Sequence, residues 1–523
     1  MNAYLLLSIA ASIAPEQEIL TFFNKRQSYE QLIRRVGALA TRLAGDGVGH
    51  GDRVGIISTN SPEVVEGFFA AFQIGATIVP INYRAKPEEL AYMLRDSEIK
   101  VLLIESRYVK SIEPFLQDPS CKVEKTIVIG DDAQGYELYE PYIANGEPMI
   151  EFADIEADDI AILLYTSGTT SLPKGVMLTY TQLTNYVMGH TEAATGLPNG
   201  ASLTCVPNYH VAGATSICNC IYGGRRIVLI RQFDADTWLD ALEKEQVTHA
   251  FLVPTMLKRI IDHPRFKQTD FSSLQSLSYG AAPMPFPIIR QAIEMFPLSV
   301  DFANAFGMTE TTSTVAVLGP DDHKLVGTPE EIERKILRLH SVGKPLPNVE
   351  IKILDDEKNE LPINQIGNVY IKTAKAMKGY WNRPDDSKET MIDGWINTKD
   401  MGYLDEDGYL FLKGRNSDMI IRGGENIAPQ EIENVLIGHP EISDAAVIGI
   451  PSVEWGEEIL AVIIPNNLQA PPSVEEITAY CRERLASFKC PKCIEFATDL
   501  PRTSSGKLLK RDLREQYTTN LVE

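Results

Sequence analysis

Residues 165–175 read Tyr-Thr-Ser-Gly-Thr-Thr-Ser-Leu-Pro-Lys-Gly and follow the apolar stretch Ile160 to Leu164. Hydroxyls and a glycine placed after a strand offer backbone N–H groups and side-chain donors to phosphate oxygens, and a lysine adds positive charge. Thr166, Ser167, Gly168, Thr169, Thr170 and Lys174 are therefore candidates to cradle a polyphosphate. The segment is not a Walker loop, because Lys174 is followed by glycine instead of Ser or Thr and the leading glycine spacing differs. Taken alone it reads as a polar turn, since Ser, Thr and Gly gather in any loop.

Four further segments carry reactive residue types in chain order. Residues 304–310 read Asn-Ala-Phe-Gly-Met-Thr-Glu and residues 398–402 read Thr-Lys-Asp-Met-Gly. Residues 414–426 read Gly-Arg-Asn-Ser-Asp-Met-Ile-Ile-Arg-Gly-Gly-Glu-Asn, and residues 501–507 read Pro-Arg-Thr-Ser-Ser-Gly-Lys. Singly, each has an ordinary reading: Asp400 as a turn former, Arg415 as a solvated charge, Glu310 answering a helix macrodipole, Lys507 idle on a loop. Together, and in this order, the segments resemble the adenylate-forming superfamily of acyl-CoA synthetases, amino-acid adenylation domains and luciferases. The resemblance runs from about residue 25 to 515, and the stretch 423–433 is most similar to fatty-acyl and aryl-CoA ligases.

The resemblance implies a two-step reaction. A carboxylate attacks the α-phosphate of ATP to give acyl-AMP and pyrophosphate, and a thiol then attacks the acyl carbon as AMP leaves. The first step sets two anions against each other, so the site must neutralise charge and align oxygens. By resemblance, the 166–175 loop holds the β- and γ-phosphates, Thr309 reaches the α-phosphate, and Glu310 holds Mg²⁺, a hard cation that takes oxygen ligands. Asp400 accepts from the ribose hydroxyls and Arg415 bridges ribose and phosphate. Phe306, within Asn304, Ala305 and Gly307, stacks on adenine, and the backbone at Gly280, Ala281 and Ala282 lines the ring. Lys507 binds the α-phosphate and the attacking carboxylate oxygen together, as a point charge can. His210 gates the acyl tunnel or is a satisfied buried histidine, and Gly423 and Gly424 admit the thin pantetheine arm of CoA.

Four positions depart from the family pattern. Ser171 replaces a loop glycine, Phe306 replaces a Tyr, Lys399 replaces a common Gly before Asp400, and Ser417 stands where an Asp or Lys hinge residue is usual. The segments expected to build the acid pocket, 207–216, 279–282, 302–306 and 311–316, contain no Lys, Arg, Asp or Glu. A charged second group on the acid would be buried there without a partner, so fatty and neutral aryl acids are both expected. The thiol acceptor is CoA or, alternatively, a carrier-protein phosphopantetheine; a non-catalytic nucleotide- or acyl-binding regulator is the reading from another class.

The elements that position these residues are legible as α/β. Ser28 with Gln31 makes a capping box before apolar positions Leu32, Val36, Leu39 and Leu43. Strands Arg53 to Ser58, Thr77 to Pro80, Val101 to Glu105 and Thr126 to Gly130 alternate with helices, which predicts a parallel sheet within the first 130 residues. Residues 200–310 repeat the style, short β runs from 342 to 412 predict a small barrel, and the last ~110 residues predict a smaller α+β domain. Two units are expected: 1–414, comprising two layered α/β subdomains and the barrel, and a mobile 415–523.

With 523 residues, 44% apolar and 23% charged, the chain is ample for a large enzyme. A net charge of −22 disfavours nucleic acid as a partner. Seven cysteines at irregular spacings are not a disulfide framework and point to the cytoplasm, and Cys490-Pro-Lys-Cys493 lacks the second pair that a structural zinc needs. No apolar run is long enough for a transmembrane helix. A monomer or homodimer is expected.

Overall fold

The computed structural model describes the chain apart from residues 167–171, 423–424, 453–454, 504–505 and 520–523. Its elements arise where the sequence patterns place them. Ser28 caps the helix Tyr29–Gly45, accepting from the Gln31 N–H at 3.3 Å while the Gln31 side chain accepts from the Ser28 N–H at 2.9 Å. The helix then buries Leu32, Val36, Leu39 and Leu43 on one face.

An eight-stranded sheet runs, from edge to edge, Gly379–Tyr380, Lys174–Thr179, Ile160–Thr166, Thr77–Pro80, Arg53–Ile57, Val101–Glu105, Lys125–Ile129 and Glu137–Leu138. Its central pairings are parallel, and Thr77–Pro80 and Val101–Glu105 are buried along their whole length, as strands covered by helices on both faces must be. A nine-stranded sheet holds Ala201–Thr204, Arg226–Leu229, His249–Leu252, Ser276–Gly280, Asp301–Met308 and Ser313–Leu318. The four strands read from the first 130 residues share the first sheet, but two strands that the pattern did not reveal belong to the second. Glu18–Phe22 and Lys25–Ser28 form the far edge of the second sheet, where Glu18–Phe22 lies parallel to Arg226–Leu229. Their partner is some 200 residues away, which no local period reveals.

The expected barrel is a five-stranded antiparallel half-barrel built on Val349–Leu354, Gly367–Thr373, Trp395–Leu404 and Leu410–Arg415, with the short strand Met391–Ile392. The C-terminal sheet pairs Ile442–Ser452 with Gly456–Pro465 in an antiparallel hairpin and adds Cys493–Phe496 in parallel. Helices Pro429–Ile437 and Val474–Arg482 cover one of its faces, and the residues of Lys510–Thr519 pack on the other. Cys490 packs with the first group and Cys493 with the second, so the Cys-x-x-Cys spacing does not gather a ligand pair.

A polar seam joins the two large sheets. The Asn60 amide donates to the carbonyls of Val206 at 3.1 Å and Ile230 at 3.3 Å, and its Oδ1 accepts from the Asn208 N–H at 3.1 Å. Beside it, the buried Glu105 accepts from Thr59 N–H and hydroxyl and from Arg231 at 2.7 Å. Asn60 thus fixes the loop that leads to His210. Truncation to Ala leaves buried carbonyls unpaired, at about 1–3 kcal/mol for each group. Asn60→Ala should lower the urea midpoint of the N-terminal transition, and an unchanged midpoint would show that the seam is dispensable.

Candidate active site

Thr166, Gly280 and Thr309 lie at the carboxyl ends of Ile160–Thr166, Ser276–Gly280 and Asp301–Met308, where open α/β sheets place ligands. Thr166 and Lys174 face each other across the antiparallel hairpin Ile160–Thr166/Lys174–Thr179, with the Thr166 hydroxyl 3.5 Å from the Lys174 carbonyl. They therefore flank the root of the phosphate-loop candidate. Ser167, Gly168, Thr169, Thr170 and Ser171, and Gly423 and Gly424, lie outside the described residues.

Gly280 ends its strand in register with Ala305, and a Cβ there would lie 2.3 Å from the Ala305 carbonyl oxygen, so the close approach of two strands requires glycine. Ala281 follows at φ +65. Asn304 is buried in mid-strand, and Phe306 packs against the half-barrel core of Val315, Val349 and Val369. Gly307 is more constrained still: a Cβ would meet the Ser313 carbonyl oxygen at 1.8 Å. That crowding comes from a tight reversal in which Thr312 and Ser313 both take positive φ, 50 and 80.

Thr309 and Glu310 occupy the short 3-10 turn Thr309–Thr311 just before the reversal. Three bonds stitch the turn to residues 375–380. The Thr312 hydroxyl donates to the Lys375 carbonyl at 2.7 Å, the Met377 N–H donates to the Glu310 carbonyl at 2.8 Å, and the Tyr380 hydroxyl donates to Glu310 Oε1 at 2.8 Å. Burial and the adjacent Glu310 carboxylate push the Tyr380 phenol far up, so it remains a donor. The Lys174 amine lies 5.2 Å from the centre of the Tyr380 ring and ion-pairs with Asp386. Sequence reasoning missed Tyr380 and Asp386; the Gly-Tyr-Trp at 379–381 was the available cue.

Asp400 and Arg415 are cross-strand partners in Trp395–Leu404 and Leu410–Arg415, with Nε to Oδ1 at 3.6 Å. The Asp400 N–H donates to the Thr398 hydroxyl, which donates in turn to the Val369 carbonyl. Burial raises the Asp400 carboxyl above the usual carboxylate range, opposed by Arg415 and Lys507 and reinforced by Glu310 and Asp418. Lys507 therefore sits in the same charge group although it arises from the last hairpin of the chain. That hairpin is held by the Thr503 N–H to the Lys507 carbonyl at 2.7 Å, by Arg502 to the Gly506 carbonyl at 2.8 Å and by the Arg502–Asp444 ion pair at 2.7 Å. Burial, then Arg415, pull the Lys507 amine down to about 8, with Asp400 and Glu310 pulling the other way.

This group does not include His210. The histidine caps Val211–Gly223 on a neighbouring strand end, with its ring 4.5 Å from Tyr209 and Tyr209 5.3 Å from Tyr83. Burial, helped by Arg84, holds it at about 4, so it is neutral at neutral pH. Behind the 311–316 segment the buried Lys375 places its amine 3.4 Å from the Thr314 carbonyl, a cation that the pocket segments themselves did not contain.

Among the described residues no three His, Cys, Asp or Glu side chains are grouped to cage a metal. Magnesium needs no such cage: one carboxylate and phosphate oxygens suffice, with water completing the shell. Glu310 fits that role, being 8% exposed with Oε1 fixed by Tyr380.

The family of AMP-binding enzymes matches residues 7–381, and the AMP-binding enzyme C-terminal domain matches 431–507. A feruloyl-CoA synthase of Amycolatopsis sp is 33% identical over 511 residues, covering 97% of this chain and 97% of the relative. A fatty acid--[acyl-carrier-protein] ligase, ScoC, of Streptomyces coeruleorubidus is 33% identical over 496 residues, covering 94% and 91%. The anthranilate CoA ligase AuaEII in complex with anthranoyl-AMP superposes with a TM-score of 0.89 at 28% identity, covering 100% of this chain and 98% of that one.

The Lys507 environment makes a stability prediction with a defined sign. The folded protein holds this proton more weakly than the unfolded chain, whose lysine keeps the ordinary value near 10.5. The cost of burying the cation is thus present below about pH 8 and is relieved as pH rises from 8 toward 10.5. Lys507→Met should raise the thermal midpoint of the nucleotide-free protein at pH 7 by roughly 2–4 °C, and the gain should shrink toward pH 10. A lower midpoint at pH 7 would contradict this electrostatic picture.

Proposed function

Because this chain belongs to the AMP-binding enzyme family, we propose both its reaction and the residues that carry it. It is an ATP-dependent acid–thiol ligase. A carboxylic acid is activated as acyl-AMP with release of pyrophosphate, and the acyl group then passes to the thiol of CoA with release of AMP. The observation that supports the assignment of residues is the cross-strand pair of Asp400 and Arg415 at 3.6 Å, with Lys507 and Glu310 near enough to act on the Asp400 carboxyl.

Two anions must approach within bonding distance in the first step. Lys507 offers one compact charge to the attacking carboxylate and the α-phosphate together, and in a partly desolvated site that charge acts more strongly than in water. Thr309 adds a hydroxyl at the α-phosphate, Asp400 and Arg415 fix the ribose, and Phe306 with the 280–282 backbone holds the adenine. Lys174 and the 166–170 loop meet the departing pyrophosphate. Glu310, steadied by Tyr380, would hold magnesium, which when bound supplies charge to the phosphate oxygens.

For the second step the segment from 415 onward turns about residues 415–418. Lys507 leaves the site, and Gly423 and Gly424, which carry no side chain, are the proposed neighbours of the pantetheine arm. Ser417 brings no charge to that hinge, whereas Asp418 beside it is tied to Arg514 of the same segment at 3.3 Å. The neutral His210 suits a gate at the acyl entrance better than an acid or base. Neutral aryl or fatty acids are the proposed substrates. A feruloyl-CoA synthase and a carrier-protein ligase are both among the relatives, and CoA is the proposed acceptor. We place the enzyme in the cytoplasm, in keeping with its seven free cysteines. No helix among the described residues is long and apolar enough to cross a membrane.

The test is pyrophosphate release and thioester formation across a panel of cinnamic, indolic and medium-chain fatty acids. Lys507→Ala should lose pyrophosphate release by orders of magnitude yet still convert supplied acyl-AMP and CoA to thioester. Equal loss of both halves would remove Lys507 from its role, and absence of pyrophosphate release with every acid would remove the ligase reading.

A further inference from the structure

Lys375 carries a buried amine that the mechanism proposed above does not use. The residue is 8% exposed, and its amine lies 3.4 Å from the Thr314 carbonyl and 5.3 Å from the centre of the Tyr186 ring. Among the described residues no carboxylate pairs with it, and burial pulls it below the ordinary lysine value. An ammonium offers more than one N–H donor, and a buried one without a counter-charge is costly. One long bond to a carbonyl and the face of a ring satisfy it in part.

The backbone fixes where this amine sits. The Thr312 hydroxyl donates to the Lys375 carbonyl at 2.7 Å, the Lys375 N–H donates to the Thr373 hydroxyl at 3.2 Å, and the Gln182 amide donates to the next carbonyl, that of Ala376. Residue 375 is thereby held between the reversal at 312–313 and the helix Tyr180–His190, which bears Tyr186. The helix Val211–Gly223 lies against both that helix and the strand Ser313–Leu318. Segments 207–216 and 311–316, expected to build the acid pocket, therefore approach each other beside Lys375. They contain no Lys, Arg, Asp or Glu, so the tertiary structure supplies a donor that the pocket's own sequence lacks.

The reacting carboxylate is met by Lys507 and Thr309 in the ligase reading, on which this inference rests, so the atom that meets Lys375 belongs to another part of the acid. We propose that Lys375 is a specificity-determining residue whose amine donates to an uncharged oxygen acceptor, a hydroxyl, ether or carbonyl, carried by the acid away from its reacting carboxylate. A second carboxylate is disfavoured. It has about four lone-pair sites and would be buried in that pocket with one cation as its partner. An acid that is apolar throughout leaves the amine unsatisfied and is the poorer substrate for that reason.

The experiment measures pyrophosphate release by the full-length protein, parent, Lys375→Met and Lys375→Arg, in two series. One is cinnamic acid with its meta- and para-hydroxy, methoxy and para-carboxy derivatives; the other is a medium-chain fatty acid with and without a terminal hydroxyl. The readout is the ratio of kcat/KM for the best uncharged oxygen-bearing acid to that for its plain counterpart, in whichever series is turned over. The parent ratio should be roughly tenfold or more, the scale of one hydrogen bond to a charged group. Lys375→Met should collapse the ratio toward unity, and Lys375→Arg, which keeps the donors, should restore part of it. A merely structural lysine would lower both rates and leave their ratio intact. A parent ratio near unity would overturn the proposal whether or not the variants fold, as would a ratio preserved in Lys375→Met. A preference for the para-carboxy acid that disappears with the lysine would overturn the uncharged acceptor. A parent protein that releases no pyrophosphate with any acid would instead refute the ligase reading.

Discussion

A half-buried lysine amine within electrostatic reach of two carboxylates and a guanidinium is the constraint around which the proposed site is arranged. Lys507 lies 197 positions after Glu310 and 107 after Asp400 in the chain, yet all three share one electrostatic group with Arg415. Burial, helped by Arg415, lowers the amine toward about 8 and burial raises the Asp400 carboxyl, so the opposite charges offset only part of the cost of holding them there. Such a cluster is a poor source of stability, since desolvation consumes much of the Coulombic gain. Its proposed use is to meet an incoming anion pair with charge already oriented, where reorganisation would otherwise add to the barrier.

The two large sheets serve that end by carrying Thr166, Gly280 and Thr309 at the carboxyl ends of their strands. The central strands Thr77–Pro80 and Val101–Glu105 are buried along their whole length and cannot slip without exposing a run of Val, Ile or Leu, which pins the register and with it the loops. The seam of Asn60, Thr59, Glu105 and Arg231 then sets one sheet against the other through directional bonds. The half-barrel adds a third wall. Its cross-strand pair Asp400 and Arg415 is presented from below, and its core receives the flank of Phe306.

The turn that carries Thr309 and Glu310 shows how the strain is distributed. Two consecutive non-glycine residues in left-handed backbone are held by the Thr311 and Thr312 hydroxyls, and Gly307 gives the space for the chain to fold back. The segment 375–381 buttresses the turn and supplies Tyr380 to the carboxylate, while the following helix presents Asp386 and Glu389 to two lysines on either side of the proposed nucleotide site. Lys399 explains a departure visible in the sequence: a position that favours glycine for its positive φ carries a lysine whose amine is tethered by Glu389. The same local feature thus joins backbone geometry to the charge pattern.

Local chemistry was written in the residues themselves. The phosphate-loop composition, the ordered segments ending in Lys507, the Ser28 capping box and the helices Pro87–Asp96 and Pro429–Ile437 all depend on neighbours within a few positions, and such interactions are legible in a string. What required the tertiary structure was every relation closed by the folded chain. Glu18–Phe22 joins a strand from residue 226 onward, Tyr380 finds Glu310, Asp386 takes the charge of Lys174, and Cys490 and Cys493 face different cores. The Lys507 amine is drawn below its ordinary value for the same reason: its environment is the sum of desolvation and charges contributed by distant segments. Sequence period fixes which side of an element is apolar, but packing alone decides which other element covers it and which charges are buried between them.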